Sequence, residues 1–323
     1  MGKIDLSKYN VRTDLIIEDN KLIHDEKIVE GLVITTTKKD GNYITLSFDD
    51  ITDNENREKV YIHLTEIIND ILKLNNISDN AKCLIIGLGN ALSTPDSLGV
   101  KVLDDITITG HMYEIGTVSP GMRCVYAISP GVMASTGIES ARIITSLIKE
   151  IKPDFVIAID ALASRNLERI NKTIQITDTG IHPGSGIGNN RVEISSKTMN
   201  IPVIAIGVPT VVMSSVIVYD TLNYLAKHIS YIKDNESVSK LVFKRNNYLD
   251  KIKKYKLSNQ DEVNLLGLFG SLNDIQKRDL IDEVLNNTEL NLIVTPTEID
   301  FLIDKLSKLI AKSINSALHR QIN

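Results

Sequence analysis

The sequence predicts an α/β protein with a doubly wound, largely parallel sheet. Three observations predict it. Short continuous apolar runs with many β-branched residues recur, at Cys83 to Ile86, Arg123 to Ile128, Phe155 to Ile159, Thr173 to Ile176 and Pro202 to Ile206. Runs of this length and type suit strands buried on both faces. Between them, Ile138 to Ile151 and Ser214 to Ile229 carry apolar residues at helical spacing. Strand and helix alternating along a chain is the pattern of a sheet covered by crossover helices. Ahead of this core, Leu32 to Thr37 and Tyr43 to Phe48 are joined through Asp40-Gly41, a strong hairpin signal.

Taken in order, residues 1–30 are polar and weakly periodic apart from Val11 to Glu18, and read as an arm or a short edge strand. From Asn54 to Leu74, the residues Val60, Ile62, Leu64, Ile67, Ile68, Ile71 and Leu72 mostly follow helical spacing. Gly87 and Gly89 follow the first core strand as in a dinucleotide fingerprint, but the third glycine position holds Leu92, so that motif fails. Thr94 or Asp96 is placed to start a helix toward Ile108. Residues 233–256 are rich in lysine and read as a solvated basic insertion, with an anion-binding surface as the alternative. Glu262 to Phe269, Leu272 to Asn286 and Glu298 to Leu318 read as C-terminal helices. They are expected to pack on one side of the sheet or to make a subunit contact.

Composition narrows the function. Of 323 residues, 42% are hydrophobic and 24% charged, the balance of a globular chain. The net charge of -5 gives no electrostatic case for nucleic acid or an acidic membrane surface. Cys83 and Cys124 start strand-like runs, where a thiol serves as a small hydrophobe, so no disulfide framework is expected. No uninterrupted apolar stretch approaches the roughly 18 residues of a membrane span. A cytoplasmic protein without a cofactor is therefore expected.

Which residues carry chemistry is more open. The histidines are scattered without HExxH or CxxC spacing, so no metal site is expected. The loop around Asp178, His182 and Ser185 is dense in glycine, with Gly180, Gly184, Gly186, Gly188 and Pro183, and offers the residue types of a serine hydrolase. A nucleophile elbow, however, needs glycine two positions before the serine, and Pro183 stands there. Neither cysteine falls at the carboxyl end of its strand, as a strand-end nucleophile would. Asp96 and Asp160 remain, each just beyond a predicted core strand, where open α/β sheets place ligand crevices. Two carboxylates sharing a crevice cannot both ionise, so one holds a proton while the other activates water. Two separate helix caps account for the same spacing.

A resemblance adds to this reading. Gly87 to Asn90, Thr94 to Gly99, Pro130 to Met133, Ile157 to Ala163 and Asp178 to Gly186 together resemble the germination protease family of spore-forming bacteria. Pro202 to Val212 and Val11 to Leu15 extend the likeness, in consistent order over most of the chain. The resemblance implies an endopeptidase that degrades small acid-soluble spore proteins during germination. It also implies an inactive precursor, a homotetramer in the spore core, and a sheet similar to that of hydrogenase maturation proteases. The family's two essential aspartates match Asp96 and Asp160. Its processing site, an acidic residue followed by an apolar one, matches Asp14-Leu15. On this reading residues 1–14 are a propeptide arm and residues 15–323 one protease domain. Alternatives are a hydrolase of another specificity using Ser185 and His182, and a non-catalytic binding protein.

Four positions depart from the family's pattern. Val100 stands for a proline, Gly110 for an arginine, Met213 for an aspartate and Ile16 for an alanine. The first three touch loops near the expected cleft, and the last adjoins the expected processing site.

Overall fold

A computed structural model describes residues 14–19, 21–183, 192–234, 252, 254–290 and 292–320. Residues 1–13 of the expected arm, Ser185 and most of the basic segment 233–256 lie outside the described residues. The chain divides into two compact units. Among the described residues, the larger comprises those within 14–164, 168–211 and 295–320, and the smaller those within 165–167 and 212–294.

In chain order come strands β1 (His24–Val29), β2 (Leu32–Lys38) and β3 (Asn42–Ser47), then helix α1 (Asn54–Leu74), β4 (Cys83–Gly87) and α2 (Leu98–Leu103). Next are β5 (Val125–Ile128), α3 (Ser140–Ile151), β6 (Phe155–Ser164), β7 (Thr173–Thr177), β8 (Val203–Met213) and α4 (Ser214–Asp234). The chain closes with α5 (Asn259–Leu266), α6 (Asp274–Asn287), β9 (Ile293–Val294) and α7 (Ile299–Leu318).

The strands form one sheet in the order β1-β2-β3-β7-β8-β6-β4-β5, with β9 on β8. The fold is the α/β class expected. Its parallel part is centred on β4, which runs parallel to β5 and β6. On the other side the hairpin strands continue the sheet through antiparallel pairings of β3 with β7 and β7 with β8. The hairpin is a three-stranded meander, because β1 adds outside β2. β1 falls within residues 1–30, read as an arm or a short edge strand, and its His24-Asp25-Glu26-Lys27 start, almost all charged, suits an exposed edge. Asp40 takes the left-handed conformation that the turn requires, with φ of 53°.

Each face of the sheet has its own cover. α1 turns Val60, Leu64, Ile67, Ile68, Ile71 and Leu72 inward, against α7 and against Ile157, Ile159, Ile174, Ile176, Ile204 and Ile206 of the strands. Its start is fixed by the Asp53 side chain, which accepts from the Asn56 N–H at 2.8 Å. The opposite face of β4 and β6 offers Leu84, Ile86 and Val156 to Ala141 and Ile144 of α3. Burying such an aliphatic side chain stabilises by about 1.5–3 kcal/mol relative to leaving it exposed. These two layers hold the strand ends that carry the candidate site.

In the smaller unit, α4 and α6 pack together, and Val212 and Met213 at the tip of β8 pair with β9. The Arg278 guanidinium lies 3.6 Å from the centre of the Tyr219 ring, and Lys277 is salt-bridged to Glu262 at 2.5 Å. Among the described residues, no helix is long and apolar enough to cross a membrane.

Candidate active site

Asp160 does not end its strand, as the sequence reading had it. β6 continues to Ser164, and the aspartate is 5% exposed within it. What stops at this level is the neighbour. β4 ends at Gly87, opposite Ile159, and the Leu88 N–H makes the next bond to the Ile159 carbonyl at 2.8 Å. β6 thus runs on past the end of β4 just where Asp160 stands. A helix cap is excluded at Asp160, since no helix follows; its Oδ1 accepts the N–H of Ala161 at 2.9 Å, inside the strand.

Asp96 closes a single 3-10 turn, Thr94–Asp96, and the expected long helix is instead this turn followed by the short α2. Pro95 at its centre favours such a turn. The Asp96 N–H bonds Ser93, its carbonyl accepts from Asn90 at 3.0 Å, and the Thr210 hydroxyl on β8 donates to the Pro95 carbonyl at 2.8 Å. The turn is therefore tied on one side to the segment leaving β4 and on the other to β8. In the sheet β6 lies between those two strands, and the turn packs against it. Asp96 and Asp160 so come to the same end of the sheet. Gly89 makes the approach possible: its φ is +107°, and an added Cβ would overlap the Asp96 carbonyl oxygen.

Alternation along β6 puts Leu162 on the face of Asp160 and opposite Ile157 and Ile159, which point into the α1 layer. A cavity of about 180 Å³ opens on that face, lined by Leu162, Ala205, Gly207, Gln175, His182 and Asp14. Gly207 leaves room for Leu162, since a Cβ there would sit 2.4 Å from its Cδ1. Two residues of strand, about 7 Å, separate Leu162 from Asp160.

The described end of the expected arm is docked on the sheet. Leu15 has an extended backbone and is 2% exposed. Asp14 bonds Ala163 twice, its N–H to the carbonyl at 3.2 Å and its Oδ2 from the N–H at 2.9 Å. Gln175 donates through Nε2 to the Asp14 carbonyl at 3.0 Å and accepts through Oε1 from the Ile16 N–H at 2.7 Å. Glu18 accepts from the Ser164 hydroxyl at 2.6 Å and lies 3.6 Å from Arg169. The docking follows from the sheet: β6 and β7 offer the Ala163 backbone, the Ser164 hydroxyl and the Gln175 amide, and the arm meets them with backbone groups and with the carboxylates of Asp14 and Glu18.

The residues of the glycine-rich loop have other attachments. Asp178 accepts from the Asn42 N–H at 2.7 Å and from its side-chain amide at 2.6 Å, and receives Asn75 as well. It fastens β3 to the end of α1. His182, half exposed, lies 3.6 Å from Glu193 across the bridge between Ile181 and Ile194. Both cysteines are buried, and burial pushes the Cys83 thiol far up, away from reactivity. Among the described residues, no three His, Cys, Asp or Glu side chains converge as metal ligands.

Gln175 was missed by sequence reasoning. Its signal was the alternation Thr173-Ile174-Gln175-Ile176-Thr177, which turns a long amide away from the core on a strand otherwise buried.

The germination protease family pattern matches residues 10–323. A germination protease of Bacillus thuringiensis subsp. konkukian is 42% identical over 356 residues, covering 99% of this chain and 96% of that protein. One of Bacillus cereus is 41% identical over 357 residues with the same coverage. Among solved structures, the [NiFe] hydrogenase maturation protease HycI of Thermococcus kodakarensis KOD1 aligns with 45% of this chain and 80% of its own, at 16% identity and a TM-score of 0.28. With a family match over nearly the whole length and relatives this similar, the chain belongs to the germination protease family and is a protease of spore germination.

Proposed function

We propose that this protease is an endopeptidase that cuts small acid-soluble spore proteins, with Asp96 and Asp160 activating the attacking water. It is made as a precursor, trims itself between Asp14 and Leu15, and works as a homotetramer in the spore core. The observation that carries the reading is the placement of an acidic-apolar dipeptide. Leu15 has an extended backbone, and Asp14 is bonded to Ala163 on the strand that bears Asp160 and lines the cavity on that face. A protease whose own chain presents a cleavable sequence there has the arrangement needed to process itself. In this chemistry one carboxylate takes a proton from water while the other, protonated, polarises the carbonyl. Mild acidity therefore promotes trimming, because the pair must hold one proton between them. No metal enters the scheme.

The test is incubation of the protein with purified small acid-soluble spore proteins, followed by mass spectrometry of the fragments and sequencing of the enzyme's amino terminus. Discrete internal cuts after acidic residues and a new amino terminus at Leu15 are expected. Intact spore proteins, alongside a competent control protease, would refute the substrate assignment. Full activity with an untrimmed arm would refute the precursor.

A further inference from the structure

We propose that Gln175 is a substrate-binding residue that holds the peptide on both sides of the bond to be cut, and that its Nε2 is the donor at the carbonyl on which negative charge develops. The inference rests on reading Asp14-Leu15 as a cleavage sequence, since residues 14–16 then stand in for substrate.

The geometry is specific. One amide side chain spans the Asp14-Leu15 peptide bond, donating to the carbonyl oxygen of Asp14 at 3.0 Å and accepting from the N–H of Ile16 at 2.7 Å. The orientation of the amide is fixed by its partners: an N–H from Ile16 requires the side-chain oxygen, which leaves the nitrogen for the carbonyl. Gln175 itself is 6% exposed on β7, so its amide works in a water-poor site where hydrogen bonds are strengthened. Both contacts are to main chain, so they read register and leave side-chain choice to other groups.

That choice falls to neighbours. The Ala163 N–H donates to the Asp14 carboxylate at 2.9 Å, a charge-assisted bond that a neutral residue before the cut would weaken. Leu15 is 2% exposed, so the residue after the cut is one that is shielded from water, which suits an apolar side chain. The ligand class is thus a peptide with an acidic residue followed by an apolar one, the latter held with an extended backbone.

The reaction balances with groups already named. Water adds to the Asp14 carbonyl carbon and gives one proton to a carboxylate of the aspartate pair. The carbonyl oxygen then carries negative charge against Gln175 Nε2. The C–N bond breaks, and the proton passes to the leaving nitrogen of Leu15. A donor aimed at the developing oxyanion acts mainly on kcat; removing one costs about 10²–10³-fold.

The experiment uses the full chain and a synthetic peptide with the sequence of residues 12–18, scored by mass spectrometry for cleavage between its aspartate and leucine. Gln175→Leu should lower kcat by about 10²-fold with a smaller change in KM. Gln175→Glu keeps the acceptor but has no donor while ionised, so its rate relative to the parent should recover as pH falls and the carboxyl regains a proton. A fold-only role predicts lower thermal stability with kcat intact in the molecules that remain folded, and no recovery at low pH. Either variant cutting within twofold of the parent at neutral pH would overturn the proposal. A parent that does not cut this peptide would overturn it together with the cleavage-sequence reading. A parent and an Asp160→Asn protein that cut equally would sink the carboxylate pair, while Gln175 would still stand or fall by its own variants.

Discussion

Gly99 lies against the backbone of Ile159, so closely that a Cβ on it would sit 2.4 Å from the Ile159 carbonyl oxygen and 2.5 Å from that of Leu88. This contact seats α2 and the preceding Asp96 turn on the strand that carries Asp160. The neighbours are backbone, Ile159 within β6 and Leu88 hydrogen-bonded to it, and have little freedom to yield. Gly99→Ala should therefore cost about 1–3 kcal/mol of stability by overpacking and shift the turn. Peptidase activity at a temperature where the variant stays folded should fall at least tenfold, because a displacement near 1 Å is enough for a loss of this size. Thermal melting and initial rates on one preparation check both parts.

The bond from the Ala163 N–H to Asp14 makes a separate claim about the arm. Asp14→Ala removes the acceptor. Trimming should become at least tenfold slower, as expected when a charge-assisted hydrogen bond of roughly 1.5–3 kcal/mol is lost. Asp14→Glu retains the carboxylate on a longer stem and should trim at least as fast as the parent. A time course of precursor loss on gels, at equal concentrations, measures both.

Much of this was legible in the sequence, for reasons that individual residues make plain. The helix Asn54–Leu74 could be read to its ends because its apolar stripe is long and Asp53 caps it. The core strands could be placed by their apolar runs, and Asp96 by its position after one of them. The extension of β6 to Ser164 was not legible, since Asp160 looks like a stop until the antiparallel half of the sheet is seen to continue beside it. β8 was likewise read short, because Gly207 and Pro209 resemble a strand end while in fact they belong to an extended edge of the cleft. The docking of Asp14 and the part played by Gln175 depend on pairing residues more than a hundred positions apart, which periodicity does not encode.

Asp282 gives the smaller unit a pH dependence of its own. Burial, aided by the like charge of Asp279 and opposed by Arg278 and Arg165, pushes its carboxyl up to about 6. Burial also raises that of Asp279. In the unfolded chain such a group titrates near 3.9, so between about pH 4 and pH 6 the folded form keeps a proton that the unfolded form has released. Stability from this group is therefore greatest at the acid end of that window, falls as pH rises through it, and stays at the lower level above pH 6. Asp282→Asn should reduce the decline, the remainder belonging to Asp279, and leave the variant more stable than the parent at pH 7.5, with little difference at pH 4. Urea midpoints for the two proteins at several pH values test this, and a difference that does not vary with pH would contradict it.

The most direct test of the catalytic assignment is the hydrolysis rate of spore proteins by Asp96→Asn and Asp160→Asn proteins, each confirmed folded by circular dichroism. An amide can neither take the proton from water nor return it to the leaving nitrogen, so each variant should lose at least 10²–10⁴-fold in rate, the range for losing a general acid or base. Full activity in either folded variant would contradict the carboxylate-pair mechanism.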